Sequence, residues 1–381
     1  MVKRRLLVPT LIVLALLAVS GCAPQAAPPA PTQAPAAVPT PAPKAATTAA
    51  AQPAATPTPP SAAPTPKPVT LKWGSPAPLS EAPIYVALDK GYFKEQGISL
   101  EQITIVSLSD QIPVLAKGDL DFGTGGWAAS VANAVQRGFP VKVIADGGAN
   151  YPGFSWQGIT VRKDLYDQGK IRTIADLKGK KVAVTAVQTM SRYFAPLLPE
   201  AKLTLKDIDF IPLAMPDTLA AYANKNIDAA FQMEPLLSQT LANGLAVRLK
   251  AVSEYRPGFQ ASVVVASPQF LENRDVANRW MIAYVKGIRS YLDMVSTGKG
   301  VDELIATISK YTPVKDKATY EMMLKEKTMV GFNPNGYPNK DTLAADIEHF
   351  LAEGYIKEKV DINSIVDNSL ADYAVQKLGK Q

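Results

Sequence analysis

Residues 120–130 read LDFGTGGWAAS. Gly123, Gly125 and Ala128 match the G-x-G-x-x-G/A pattern on which a dinucleotide-binding unit seats its pyrophosphate. Asp146 follows Gly123 by 23 residues, near the spacing such a unit uses for its ribose-binding acid. LDF before the glycines is strand-like, WAASVANAVQR after them is helix-like, and VKVIA is strand-like again. A glycine turn at a strand end equally suits any other ligand that must come close to the backbone. The stretch alone leaves both readings open.

Outward from it the chain alternates. VTLKWG (69–74), ISLEQITIV (98–106) and PVKVIAD (140–146) read as strands, with helical PIYVALDKGYF (83–93) and SDQIPVLAKG (109–118) between them. The rhythm returns after a break. QGITVRK (157–163), KKVAVTAV (180–187), DIDFIPL (207–213) and IDAAFQ (227–232) are strand-like, interleaved with helical SRYFAPLLP, PDTLAAYANK and EPLLSQTLAN. Such alternation predicts an α/β fold, its sheets mainly parallel and covered by helices. Residues 109–123 and 216–230 align without a gap at an offset of 107, with Asp110 matching Asp217 and Asp121 matching Asp228. The echo predicts two similar lobes facing across a cleft, with ligand at the carboxyl ends of the strands. From about Pro268 the tail is helical; RDVANRWMIAYVKGIRSYLDMVSTG (274–298) is long and amphipathic and is expected to buttress the first lobe.

The N-terminal part bears on compartment. Three basic residues precede a 14-residue apolar run (6–19), too short to span a bilayer comfortably and flanked like a secretory signal. The run leads into VSGC, with Cys22 the only cysteine, which resembles the lipobox of bacterial lipoproteins. That resemblance implies a signal peptide over 1–21 and a lipid anchor (diacylglyceryl, palmitate-type) on Cys22, holding the protein to the cell membrane on its extracytoplasmic face. Residues 23–68 hold 15 of the 32 prolines and no acid, a composition that predicts a disordered tether. The remainder carries 35 basic against 34 acidic residues, a net of +1, so the chain's overall +6 is no argument for nucleic acid.

Five motifs then occur in order: KGYFKEQGI (90–98), KGDLDFGTG (117–125), RGFPVKVIA (137–145), DLKGKKVAV (176–184) and NIDAAFQMEP (226–235). Together they resemble the bacterial solute-binding proteins for nitrate, sulfonates, taurine and thiamine-pyrimidine precursors, a periplasmic-binding-protein-like group serving ABC importers. The resemblance is clear from about Val69 to Phe270 and weaker in the tail. It implies a type II two-lobe fold of two mixed sheets, with crossings near 156–158 and 257–261. Lobe 1 would hold 69–157 and 262–381, and lobe 2 residues 158–261. It further implies capture of a small solute by hinge closure, delivery to an ABC permease with its cytoplasmic ATPase, no cofactor, and a monomer.

The strand-end loops supply the candidate ligand contacts. Ser75 offers a hydroxyl in GSPAPLSEAP (74–83), against the reading of a plain proline-rich turn. Ser109 and Asp110 are expected to cap a helix whose N-terminus faces the cleft. Gly125 and Gly126 admit close approach, with Trp127 beside them to stack on a ring. Gln188, Thr189 and Tyr193 stand in AVQTMSRY, where the family often has a glycine- and serine-rich turn; the departure argues against a sulfonate-like anion. Asp217 is the counterpart of Asp110. Glu234, in MEP, matches an acidic contact in pyrimidine-binding relatives, with stabilisation of a helix N-terminus as the competing reading. These residues favour a heterocycle such as a pyrimidine or flavin over sulfonate, taurine or nitrate. Catalysis has little to stand on. The single histidine, His349, is placed on a surface helix away from the cleft, and with one Cys the chain offers no Ser-His-Asp or Cys-His set and no metal cluster. An exported enzyme and a tethered sensor remain the other uses of such a fold. In this setting the glycines of LDFGTGGWAAS imply a scavenged solute rather than a dinucleotide.

Overall fold

The computed structural model describes residues 67–381, which fall within one unit of contacts, Ala63–Gln381. Cys22, the apolar run and nearly all of the proline-rich segment lie outside the described residues. Twelve strands follow in chain order: β1 (Val69–Ser75), β2 (Ile98–Thr104), β3 (Phe122–Gly126), β4 (Lys142–Asp146), β5 (Ala149–Asn150), β6 (Gln157–Arg162), β7 (Lys181–Val184), β8 (Asp209–Pro212), β9 (Ala229–Met233), β10 (Ala246–Ala251), β11 (Phe259–Gln260) and β12 (Ser262–Ala266). They form two five-stranded sheets, β2-β1-β3-β12-β4 and β10-β6-β9-β7-β8, and a two-stranded ribbon, β11-β5.

The two sheets share one plan. In the first, β1 runs parallel to β2 and β3, and β12 is antiparallel to β3 and β4. In the second, β7 runs parallel to β8 and β9, and β6 is antiparallel to β9 and β10. β3 and β9 occupy the same place in each sheet, and their bounds differ by the 107 residues of the sequence echo. The architecture is therefore α/β with two mixed, open sheets. Their central strands read as continuous apolar runs, as strands covered on both faces do: all five residues of SVVVA in β12 are buried.

The ribbon lies where the chain passes between the sheets: Phe259 pairs with Asn150 and Gln260 with Ala149. A buried polar cluster holds it. Asp146 accepts from Gln260 Nε2 at 2.6 Å, Gly148 N at 2.7 Å and Asn333 N at 2.7 Å. Burial lifts its carboxyl to about 6. The turn residue of the sequence reading is thus a junction where three separate segments meet.

The tail does more than cover the first sheet. Helix Arg274–Thr297 packs on Ala82–Asp89 and Ser369–Leu378, with Trp280, Tyr284 and Tyr291 fully buried. Helix Lys317–Lys325, however, touches Leu236–Ala242 beside the second sheet. Helix Lys340–Ala352 bridges in the same manner: Leu343, Ile347 and Phe350 join the core around Trp127 and Val131, while Asp346 and His349 bond to helix Val187–Phe194. No described helix is long and apolar enough to cross a membrane.

Candidate functional site

The loops after β1 and β9 come together around the connection between the sheets. Gly148 packs so closely that a side chain there would meet Ser80, after β1, at 3.3 Å and the Trp156 ring at 3.6 Å. Trp156 in turn accepts the Glu234 amide on its carbonyl at 2.9 Å. Ser80, Gly148, Trp156 and Glu234 thus mark one meeting point of strand-end loops from both sheets.

The glycines of 120–130 are not a turn. Gly123, Gly125 and Gly126 lie inside β3, paired with β12. A side chain at Gly123 would run into Gln111, and one at Gly125 into Leu108 at 2.9 Å. Close approach is indeed their purpose, but helix Leu108–Lys117 is what approaches. A dinucleotide reading loses its turn, and only Gly126, at the exposed end of the strand, is open to a ligand.

Several expected contacts are corrected. Trp127 does not present its ring to a cleft: it is fully buried, 6.4 Å from Phe350, because the tail helix closes over it. Ser109 and Asp110 do not cap their helix. Ser107 does, accepting the Asp110 amide at 3.2 Å; Asp110 takes the Ser107 hydroxyl proton, and Ser109 bonds Ser130. Asp217 precedes helix Thr218–Ala223 without a side-chain cap bond. Tyr193 is buried on Phe231, with ring centres 4.1 Å apart. Gln188 is exposed and Thr189 half-buried, both in the first turn of Val187–Phe194.

Glu234 is buried and engaged. It accepts from Ser238 N at 3.0 Å and Ser238 Oγ at 2.9 Å at the start of Leu236–Ala242, and lies 3.6 Å from Arg248. Burial raises its carboxyl, against which the Ser238 bonds and Arg248 pull. Ser75 is fully buried and donates to Glu81 Oε2 at 2.6 Å.

Sequence reasoning passed over Glu81 and the pair Arg192–Asp346. The latter are both 1 % exposed and 2.5 Å apart; Arg256 adds a second guanidinium to Asp346 at 3.0 Å. Arg192 also donates to the carbonyls of Gln260 and Ala261 at the ribbon. His349, expected on a remote surface helix, is instead half-buried and 2.9 Å from Ser191 Oγ, one turn beyond Gln188. Burial lowers its imidazole below the usual range. No group of three or more metal-ligating side chains is found among the described residues. Two open cavities, of about 630 and 520 Å³, flank Phe154 in the connection and contain none of the expected contacts.

The comparisons with known proteins agree with this architecture. A Brucella abortus protein named only as a binding protein is 26% identical over 302 residues, covering 77% of this chain and 87% of its own. The periplasmic nitrate-binding protein NrtA from Synechocystis superposes with a TM-score of 0.67 at 17% identity, over 83% of this chain and 90% of its own. For the periplasmic aliphatic sulphonate binding protein SsuA from Escherichia coli the values are 0.64 and 18%, over 80% and 92%. The NMT1/THI5 like family matches residues 80–294, more than half of the chain, and the chain belongs to that family.

Proposed function

We propose that this chain is the extracytoplasmic solute-binding lipoprotein of an ABC importer. Lobe 1 comprises 69–157 and 262–381 and lobe 2 residues 158–261. The lobes close on a small organic solute at the strand-end loops, and the closed form is read by the permease. The observation that carries the reading is the repeated sheet plan joined through one short ribbon. It sets two matching sets of strand ends against each other, the place where ligands of open α/β sheets bind. Family membership and the names of the compared proteins support import as the use of this closure. Lipidation at Cys22 keeps the loaded protein near its transporter and raises its effective concentration there.

A heterocyclic solute is preferred to a sulfonate, taurine or nitrate. Arg192 is committed to Asp346, and Arg248 stands beside Glu234, so neither guanidinium is free for an anion. Thermal-shift screening of pyrimidines, flavins, sulfonates and nitrate tests this. A shift with a pyrimidine or flavin is expected, and a shift with sulfonates or nitrate alone overturns the preference.

A further inference from the structure

The loop after β1 takes its shape from a side chain. Residues 75–81 read SPAPLSE, and Ala77 sits at φ +56°, the left-handed region that a residue with a Cβ rarely adopts. Its N–H donates to Ser75 Oγ at 2.8 Å, which also accepts from Gln102 Nε2 at 3.1 Å. With two donors pointing at it, the Ser75 hydroxyl must send its own proton elsewhere, and it goes to Glu81.

Glu81 stands just ahead of helix Ala82–Asp89, where an acid ordinarily turns back onto the helix amides. Its side chain makes no such bond. It points the other way, inside the first sheet, accepting from Tyr85 Oη at 2.8 Å and from the Thr124 hydroxyl on β3. All three partners are neutral hydroxyls, and Ser75, Glu81, Tyr85 and Thr124 are all buried. A carboxylate buried without a cation is costly unless its bonds are used for something. Here they hold the loop that delivers Ser80 to its place against Gly148 and Trp156.

We propose that Glu81 is a positioning residue of the solute site. It does not touch solute; from within lobe 1 it fixes the Ser75 hydroxyl, and through it the Ala77 turn and Ser80. This rests on reading the strand-end loops as that site. Only a carboxylate offers acceptor sites to three O–H donors at once. When Glu81 gains a proton, its new O–H needs an acceptor, and one of the three hydroxyls must turn round. The titratable groups facing the cluster are tyrosines: Tyr85 on Glu81's own helix, Tyr311 and Tyr320 behind Tyr85, and Tyr284 from Arg274–Thr297, all raised by burial and neutral near pH 7. Solute affinity therefore follows the state of Glu81, whose carboxyl burial pushes up to about 7.

The experiment compares the full chain with Glu81→Gln and Glu81→Ala. Hydrogen exchange needs no ligand. Amide protection over residues 75–81 should fall at least tenfold in Glu81→Gln with β12 unchanged, and an unchanged loop overturns the proposal. Cytosine, riboflavin, taurine and nitrate are then the probes. For whichever binds, wild-type affinity should drop several-fold from pH 8 to pH 5.5. Glu81→Gln should be weaker at pH 8 and insensitive to pH, and Glu81→Ala weaker still. Wild-type affinity and pH profile in Glu81→Gln also overturn the proposal. If the wild type binds none of the four, the solute preference fails, and the exchange result still decides the role of Glu81.

Discussion

Glu81 follows β1 and Glu234 follows β9, each with a proline within two residues and a helix just beyond, yet their surroundings are opposite in kind. Glu81 is held by three neutral hydroxyls of its own sheet. Glu234 caps the helix ahead of it through Ser238 and lies beside Arg248. Asp346 extends the second pattern, with a guanidinium on each oxygen. Where cations compensate the charge, the carboxylate fastens segments together; where hydroxyls surround it, ionisation is opposed and the group becomes sensitive to pH. What folds over an acid decides its role more than the residues beside it.

The most severe way to break this contrast is Arg192→Ala. It leaves Asp346 buried with one partner and should cost about 3–5 kcal/mol, as loss of half a buried pair does, read from urea unfolding. A loss below about 1 kcal/mol would show that the pair is not the fastening described.

The contrast is sharpened by pH. Glu81 binds its proton more tightly in the fold, at about 7 against an ordinary 4.5. Its contribution is therefore full below about pH 4.5 and is lost as pH rises through about 7, on the order of 3 kcal/mol in all. Unfolding curves of the wild type and Glu81→Gln should diverge by that amount across this window. Parallel curves would remove Glu81 from the account.

Glu234→Ala is expected to cost roughly 2 kcal/mol, through an uncapped helix and an Arg248 without its neighbour. Unchanged solute affinity in that variant would leave capping as the acid's whole role, whereas a tenfold loss would restore it as a contact. The smallest effect belongs to Trp127→Phe. A ring buried under Phe350 should change affinity by less than about twofold while costing about 1–2 kcal/mol of stability. A large loss of affinity would return the ring to the cleft.

Much of the fold was legible because it repeats. The offset of 107 residues located β3 and β9, and apolar runs such as SVVVA marked buried strands. The glycines of LDFGTGGWAAS misled because two demands select the same residue: a phosphate and a packed helix both exclude a Cβ. Only tertiary structure shows Leu108 and Gln111 in that space. Trp127, Arg192 and His349 were unreadable for a related reason, since their partners at 350, 346 and 191 are far away in sequence. Glu81 did leave a signal: it is the only charged residue in PLSEAPIYVAL (78–88), and an acid in an apolar run points to a buried network.

The order of the strands along the chain has a consequence for how the molecule is made. The second sheet is built from one continuous piece of chain, residues 157–251, whereas β12 joins β3 to β4 and is synthesised only afterwards. A growing chain therefore completes its later-starting half first. Until residues 262–266 arrive, β3 and β4 hold open a gap that only this all-apolar strand fits, and in that interval the nascent protein is most exposed to mispairing.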